Sequence, residues 1–139
     1  MNLKSAFKSY LVCALWSSTD NSDESGGEPF DANYDLSDIA FSSLLSLRRE
    51  FGDFVKYASG ESFPDETENL LEKYCAEMGK NEWSAIEQFA HDFWLTRNGH
   101  GAGFWDRGLG KLGNELSEMA KTYGTSDVYL GDDGKIYFT

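Results

Sequence analysis

Apolar residues at three- and four-residue steps constrain this chain more than any other feature, because that spacing lays them along one face of an α-helix. Leu3, Ala6, Phe7, Tyr10, Leu11, Ala14 and Leu15 follow it, leaving Lys4, Ser5, Lys8 and Ser9 for the opposite face. Ile39, Phe41, Leu44, Leu45, Leu47, Phe51, Phe54 and Val55 give a second helix that begins near Leu36. Asp35 suits its cap, and Asp38 three residues later completes a capping-box arrangement. Gly60 and Pro64 separate it from a third helix, residues 65–78, with an acidic first turn and a stop at Gly79. Trp83, Ile86, Ala90, Phe93 and Trp94 mark a fourth, closed by Asn98-Gly99, a natural left-handed stop. Leu109, Leu112, Leu116, Met119, Ala120 and Tyr123 mark a fifth that starts near Asp106 or Arg107 and ends at Gly124.

The period then changes. Val128, Tyr129, Leu130 and Ile136, Tyr137, Phe138 alternate around an Asp133-Gly134 turn signal, which predicts a β-hairpin. A lone hairpin is marginal in water, so this one must pack on the helices or join further strands. The expected class is α+β: a mainly helical single domain over residues 1–139, with about five helices and a small C-terminal hairpin. No internal repeat is visible. Residues 17–35 read as one long acidic loop: from residue 17 to 38 there are seven acidic side chains and no basic one.

A net charge of -12 repels nucleic-acid phosphates, so direct nucleic-acid binding is not expected, and a basic or nucleic-acid-binding protein is the more natural partner. The same charge is compatible with a protein that imitates DNA. Cys13 and Cys75 lie in helical, partly apolar stretches and read as free thiols of a reducing compartment, although a disulfide between them is compatible with the sequence. Residues 1–16 superficially resemble a signal peptide. The apolar run 10–16 is too short for one and lacks a small-residue cleavage site, and no segment approaches the length of a membrane span. A cytoplasmic protein without a cofactor is expected.

Chemistry-bearing residues concentrate in residues 95–107, LTRNGHGAGFWDR. His91 and His100 are the two histidines of the chain, and Asp92 and Asp106 lie beside them. A histidine oriented by a carboxylate is the usual general base, so these four are the candidate catalytic residues. Glu87 and His91, four apart on a helix, suit a pair, but the helical zinc signature needs two histidines at that spacing. Arg97, the glycine-rich turn and the following helix N-terminus together suit an anion, while an internal Arg97–Asp106 pair would explain both charges without a ligand. Phe104 and Trp105 are adjacent and should point apart, leaving one as an exposed anchor; the candidate binding residues are Arg97, His100, Phe104, Trp105 and Arg107. Asp31, Asn33 and Asp35 have the alternating spacing of a calcium loop. That pattern then fails at Leu36 and Ser42, so capping by Asp35 is preferred. Contact between residues 31–35 and Arg97 or Arg107 would make one composite site.

The segments ALWSSTD, GEPFDANYDLSDIA, HDFWLTRNGHGAGFWDRGLG and YLGDDGKIYF together resemble a group of small proteins encoded by bacteriophages and prophages. The resemblance covers the first helix, the acidic loop and everything after about Phe89, but not residues 45–85. It implies phage origin and action in the cytoplasm of a bacterial host, and it brings no catalytic residues with it. Two function classes follow. One is an accessory protein that binds and modulates a host or phage protein, as an inhibitor or DNA mimic; the other is a small hydrolase-like enzyme using the His, Asp and Arg cluster.

Overall fold

In the computed structural model, residues 2–20, 27–61, 68–79 and 84–139 are described. Trp83 and Asp65 to Thr67 lie outside them, with the parts of the third and fourth helices expected there. Five α-helices are present: α1 (Leu3–Ser17), α2 (Phe41–Ser59), α3 (Leu70–Met78), α4 (Ala85–Arg97) and α5 (Lys111–Lys121). Asn2 caps α1 by accepting from the Ser5 amide at 3.0 Å, and Asn69 caps α3 by accepting from the Glu72 amide at 2.9 Å. Gly60, at φ 81°, closes α2 in the left-handed conformation that favours glycine.

Helix α4 is central. Its last six residues, Asp92, Phe93, Trp94, Leu95, Thr96 and Arg97, are all buried. A helix buried on every side must meet neighbours on every side. Tyr10 of α1 stacks on Phe93 at 5.4 Å and meets the Trp94 ring edge-on at 5.5 Å. Phe54 of α2 stacks on Phe93 at 3.9 Å, while Tyr74 of α3 packs edge-on against Phe89 at 5.3 Å. These rings form one core with Leu116 and Ala120 of α5. Both cysteines are free; Cys13 is buried and Cys75 half-buried.

The expected hairpin is present. Strand β3 (Val128–Leu130) pairs antiparallel with β4 (Ile136–Phe138), with Tyr129 opposite Tyr137. Nearer the N-terminus, β1 (Thr19–Asp20) and β2 (Glu28–Pro29) form a separate short antiparallel ladder. The expected turn is closed by the Gly131 amide donating to the Lys135 carbonyl at 2.8 Å, with Gly134 at φ 79°. The hairpin solves its marginal stability in both ways open to it. Ile39 bridges Ile136 in parallel, and the Ala40 amide donates to the Ile136 carbonyl at 2.8 Å. On the helices, the Phe138 amide donates to Ser43 Oγ at 3.0 Å, and the Phe138 ring packs edge-on to Trp94.

That pairing moves a helix boundary. Asp35 and Asp38 do form the expected capping box, but on a 3-10 turn, Leu36–Asp38, and α2 starts only at Phe41. Ile39 is extended because it pairs with the hairpin, which stops the turn from running on into α2. The fifth helix also starts later than expected, at Lys111, because Gly108 and Gly110 take φ 71° and 58° and break helical geometry before it. Within residues 17–35 the described part is not simply a loop. The β1–β2 ladder and a second 3-10 turn, Phe30–Ala32, tuck the Phe30 ring into the core.

Candidate functional site

The charged residues of the 95–107 run are held mainly by one another's neighbours. Arg97 ends α4 with its guanidinium buried, and every N–H it owns has an acceptor. Its Nε donates to the Gly124 carbonyl at 2.8 Å. Nη1 donates to the Tyr10 hydroxyl at 3.1 Å and Glu50 Oε1 at 3.2 Å; Nη2 donates to Glu50 Oε2 at 3.3 Å and the Tyr123 carbonyl at 3.1 Å. Five donors meet five acceptors, which is the condition for burying a guanidinium at tolerable cost. The ion partner is therefore Glu50 of α2 and not Asp106, correcting the pairing expected from sequence. Burial pushes the Tyr10 hydroxyl well above the usual tyrosine range, so it stays neutral and keeps an oxygen for Arg97.

Asp92, one of the candidate catalytic residues, is buried completely. Arg107 grips it through Nε at 3.2 Å to both oxygens and Nη2 at 2.7 Å to Oδ1, and the Tyr74 hydroxyl donates to Oδ2 at 2.7 Å. One carboxylate thus joins α4 to α3 and to the segment ahead of α5. Burial, then the Asp92 charge, raises the Tyr74 hydroxyl far above its ordinary value, so it remains a donor. Asp92 is the buried half of its ion pair, so losing the partly exposed Arg107 strands a buried carboxylate.

The turn between them is fixed by glycine and a cap. Gly99, at φ 70°, ends α4 as expected from Asn98-Gly99, and the His100 amide donates back to the Leu95 carbonyl at 3.0 Å. Gly103 sits at φ 152°, and a Cβ there would run into the Thr96 side chain. Thr96 Oγ1 accepts from the Phe104 amide at 3.1 Å, and Asp106 Oδ1 accepts from the Gly103 amide at 2.9 Å to cap the 3-10 turn Phe104–Asp106. Asp106 is consequently a cap on this turn. Phe104 is buried in the core and Trp105 is 52% exposed, the divergence their adjacency implied.

The two histidines line different depressions. His91 lies beside Trp16, ring centroids 6.5 Å apart, in a shallow surface hollow shared with Glu87 and Ser5. Burial lowers its pKa, against the opposing pull of Asp92. Glu87 accepts a hydrogen bond from the Ser5 hydroxyl, which ties α4 to α1. His100 instead lines a polar pocket of about 440 Å³ with Ser18, Thr19, Asn98, Thr125 and Asp127. Asn98 shapes that pocket: its Oδ1 accepts from the Ser126 amide at 2.8 Å and its Nδ2 donates to the Trp94 carbonyl at 3.0 Å. An imidazole, a carboxylate and several hydroxyls around one hollow suit hydrogen-bonded recognition of a polar group.

Residues 31–35 do not meet either arginine. Asn33 Nδ2 donates to Glu28 Oε2 at 2.8 Å, while Asp35 Oδ1 accepts from the Ser37 amide at 2.9 Å. Arg97 and Arg107 are paired with Glu50 and Asp92, so the composite site is not formed. Among the described residues no three His, Cys, Asp or Glu side chains converge as metal ligands.

Compared with protein-family models, curated proteins and solved structures, the chain matches none. Its own geometry must identify the site. The residues that sequence reasoning passed over are Tyr10, Glu50, Tyr74 and Thr96. Tyr10 carried a faint signal, since a tyrosine inside an apolar stripe buries a hydroxyl that needs a partner. Glu50 and Tyr74 carried none, because their partners lie 47 and 18 residues away. With these contacts formed, His100 lines the polar pocket together with Asn98, and Trp105 is exposed.

Proposed function

We propose that this chain is an acidic accessory protein of phage or prophage origin that binds a host or phage protein inside the bacterial cell and modulates it. The observation that carries this reading is the division of the 95–107 run. Asp92, Arg97, Asp106 and Arg107 are occupied within the fold, whereas Trp105 is exposed and His100 faces a polar pocket. An exposed aromatic is a side chain that interface energetics favour as an anchor, and a polar pocket elsewhere on the same run offers hydrogen bonds. The net charge of -12 suits a basic or nucleic-acid-binding partner, which the chain would inhibit or for which it would imitate DNA, without touching nucleic acid itself. Phage origin rests on the resemblance of HDFWLTRNGHGAGFWDRGLG and its companion segments.

The hydrolase alternative retains His100, with Asp127 rather than Asp92 or Asp106 in its pocket. A mechanism on that pair needs the carboxylate to orient the imidazole, and no such hydrogen bond is formed. Affinity capture from bacterial host lysate, comparing the parent chain with Trp105→Ala and His100→Ala, tests the binding reading. A partner recovered with the parent and depleted with either variant is expected; equal recovery of every partner by all three contradicts it.

A further inference from the structure

A groove of about 700 Å³ runs between α1 and α2, and its lining reverses the charge of the molecule. The chain has 24 acidic and 12 basic side chains, yet among the described residues Lys4, Lys8 and Arg48 line the groove and no carboxylate does. All three cations are exposed, and among the described residues none of them is in an ion pair. The floor is apolar: Phe7 and Phe51 meet at 5.9 Å, with Leu11 and Val55 beside them.

The apolar surface continues past the groove. On α1, Leu3, Phe7 and Leu11 stand four residues apart. On α2, Phe41, Leu45, Arg48, Gly52 and Val55 advance by four, three, four and three, so they share one face. Phe41 is 73% exposed, Leu45 51% and Leu3 44%. At 1.5 Å per residue the α2 stripe is about 21 Å long and the α1 stripe about 12 Å. The α2 stripe matches about four turns of a helix and the α1 stripe about two, and a compact ligand seated in the groove would leave Phe41 and Leu45 in water.

We propose that the groove docks an acidic amphipathic helix of a partner protein, its apolar face between the two stripes and its carboxylates against Lys4, Lys8 and Arg48. This extends the binding reading to a second surface, and neither His100 nor Trp105 lines it. The two surfaces differ in sign as well. A partner with a basic region for the acidic surface and an acidic helix for the groove would be oriented by both.

The test uses a fluorescein-labelled peptide of about 18 residues, about 27 Å when helical, with leucines at three-four spacing flanked by glutamates. Its controls are the same peptide with lysines for glutamates, a scrambled acidic peptide, and dodecanoate as a competing small anionic amphiphile. Fluorescence anisotropy with the full chain should show saturable binding of the acidic helix that weakens with salt, and the lysine peptide should bind at least about tenfold more weakly. The combined Lys4→Glu, Lys8→Glu, Arg48→Glu variant should lose at least about tenfold in affinity, and Phe41→Ala with Leu45→Ala a similar amount. Trp105→Ala should bind the peptide like the parent. No saturation, equal binding of the scrambled peptide, or full affinity in either groove variant overturns the proposal. So does dodecanoate displacing the peptide at lower concentration than unlabelled peptide does, or a dimer of the chain that the charge reversals dissolve, since each gives the groove a different occupant.

Discussion

At the scale of single residues, the glycine-rich run is decided by steric demand and by hydrogen-bond satisfaction. Gly103 shows the first. It combines φ 152° with a position where any Cβ meets the Thr96 side chain, and Thr96 cannot step aside without releasing the Phe104 amide. Gly103→Ala should therefore cost roughly 2–5 kcal/mol, the sum of backbone strain and local overpacking, measured by urea unfolding. Gly101 is the contrasting position, since it has no positive φ and nothing within contact of its Cβ direction; Gly101→Ala should leave stability close to the parent's. Equal losses at the two positions would show that the run is not held by the Thr96 contact. Sequence placed glycines here without distinguishing these two, because both simply interrupt a helical stripe.

At the scale of elements, local signals were legible and distant pairings were not. The Asn98-Gly99 stop, the Asp35 capping box and the Asp133-Gly134 turn each lie within a few residues of what they cap or close, so the pattern could be read directly. The extended bridge at Ile39 could not, because its reason is Ile136 at the far end of the chain. The α1–α4 contact makes a pH prediction. His91 has an ordinary value of 6.5, and burial against this contact lowers it in the fold. Between the two values the unfolded chain binds the extra proton, so stability is fully present above about pH 6.5 and declines as pH falls below it. His91→Gln should flatten that part of the profile in urea unfolding at about pH 7.5 and about pH 5.5. A parent chain whose stability is unchanged over that interval would contradict the burial of His91.

At the scale of the whole molecule, two charge networks, each with one buried ion (Arg97 and Asp92), lock the helices together. Arg97 with Glu50 joins α4 to α2 and to the turn after α5, and Asp92 with Arg107 joins α4 to α3 and to the segment before α5. For residues 95–107 the sequence allowed both an outward reading of the charges, as an anion site, and an inward Arg97–Asp106 pair; Arg97 is indeed turned inward, but onto Glu50. Helical spacing shows which residues share a face, but residues 92–97 of α4 are buried on every face, so the polar end of this helix lies inside. The central claim is that Arg97 and Arg107 hold the fold while His100 and Trp105 are free for binding. Urea unfolding of four variants tests it most directly. Arg97→Met and Arg107→Met should each lose about 3–5 kcal/mol by stranding a charge or its buried acceptors, and His100→Ala and Trp105→Ala should each stay within about 1 kcal/mol of the parent. Arginine variants as stable as the parent, or histidine and tryptophan variants that lose as much as the arginines, would contradict it.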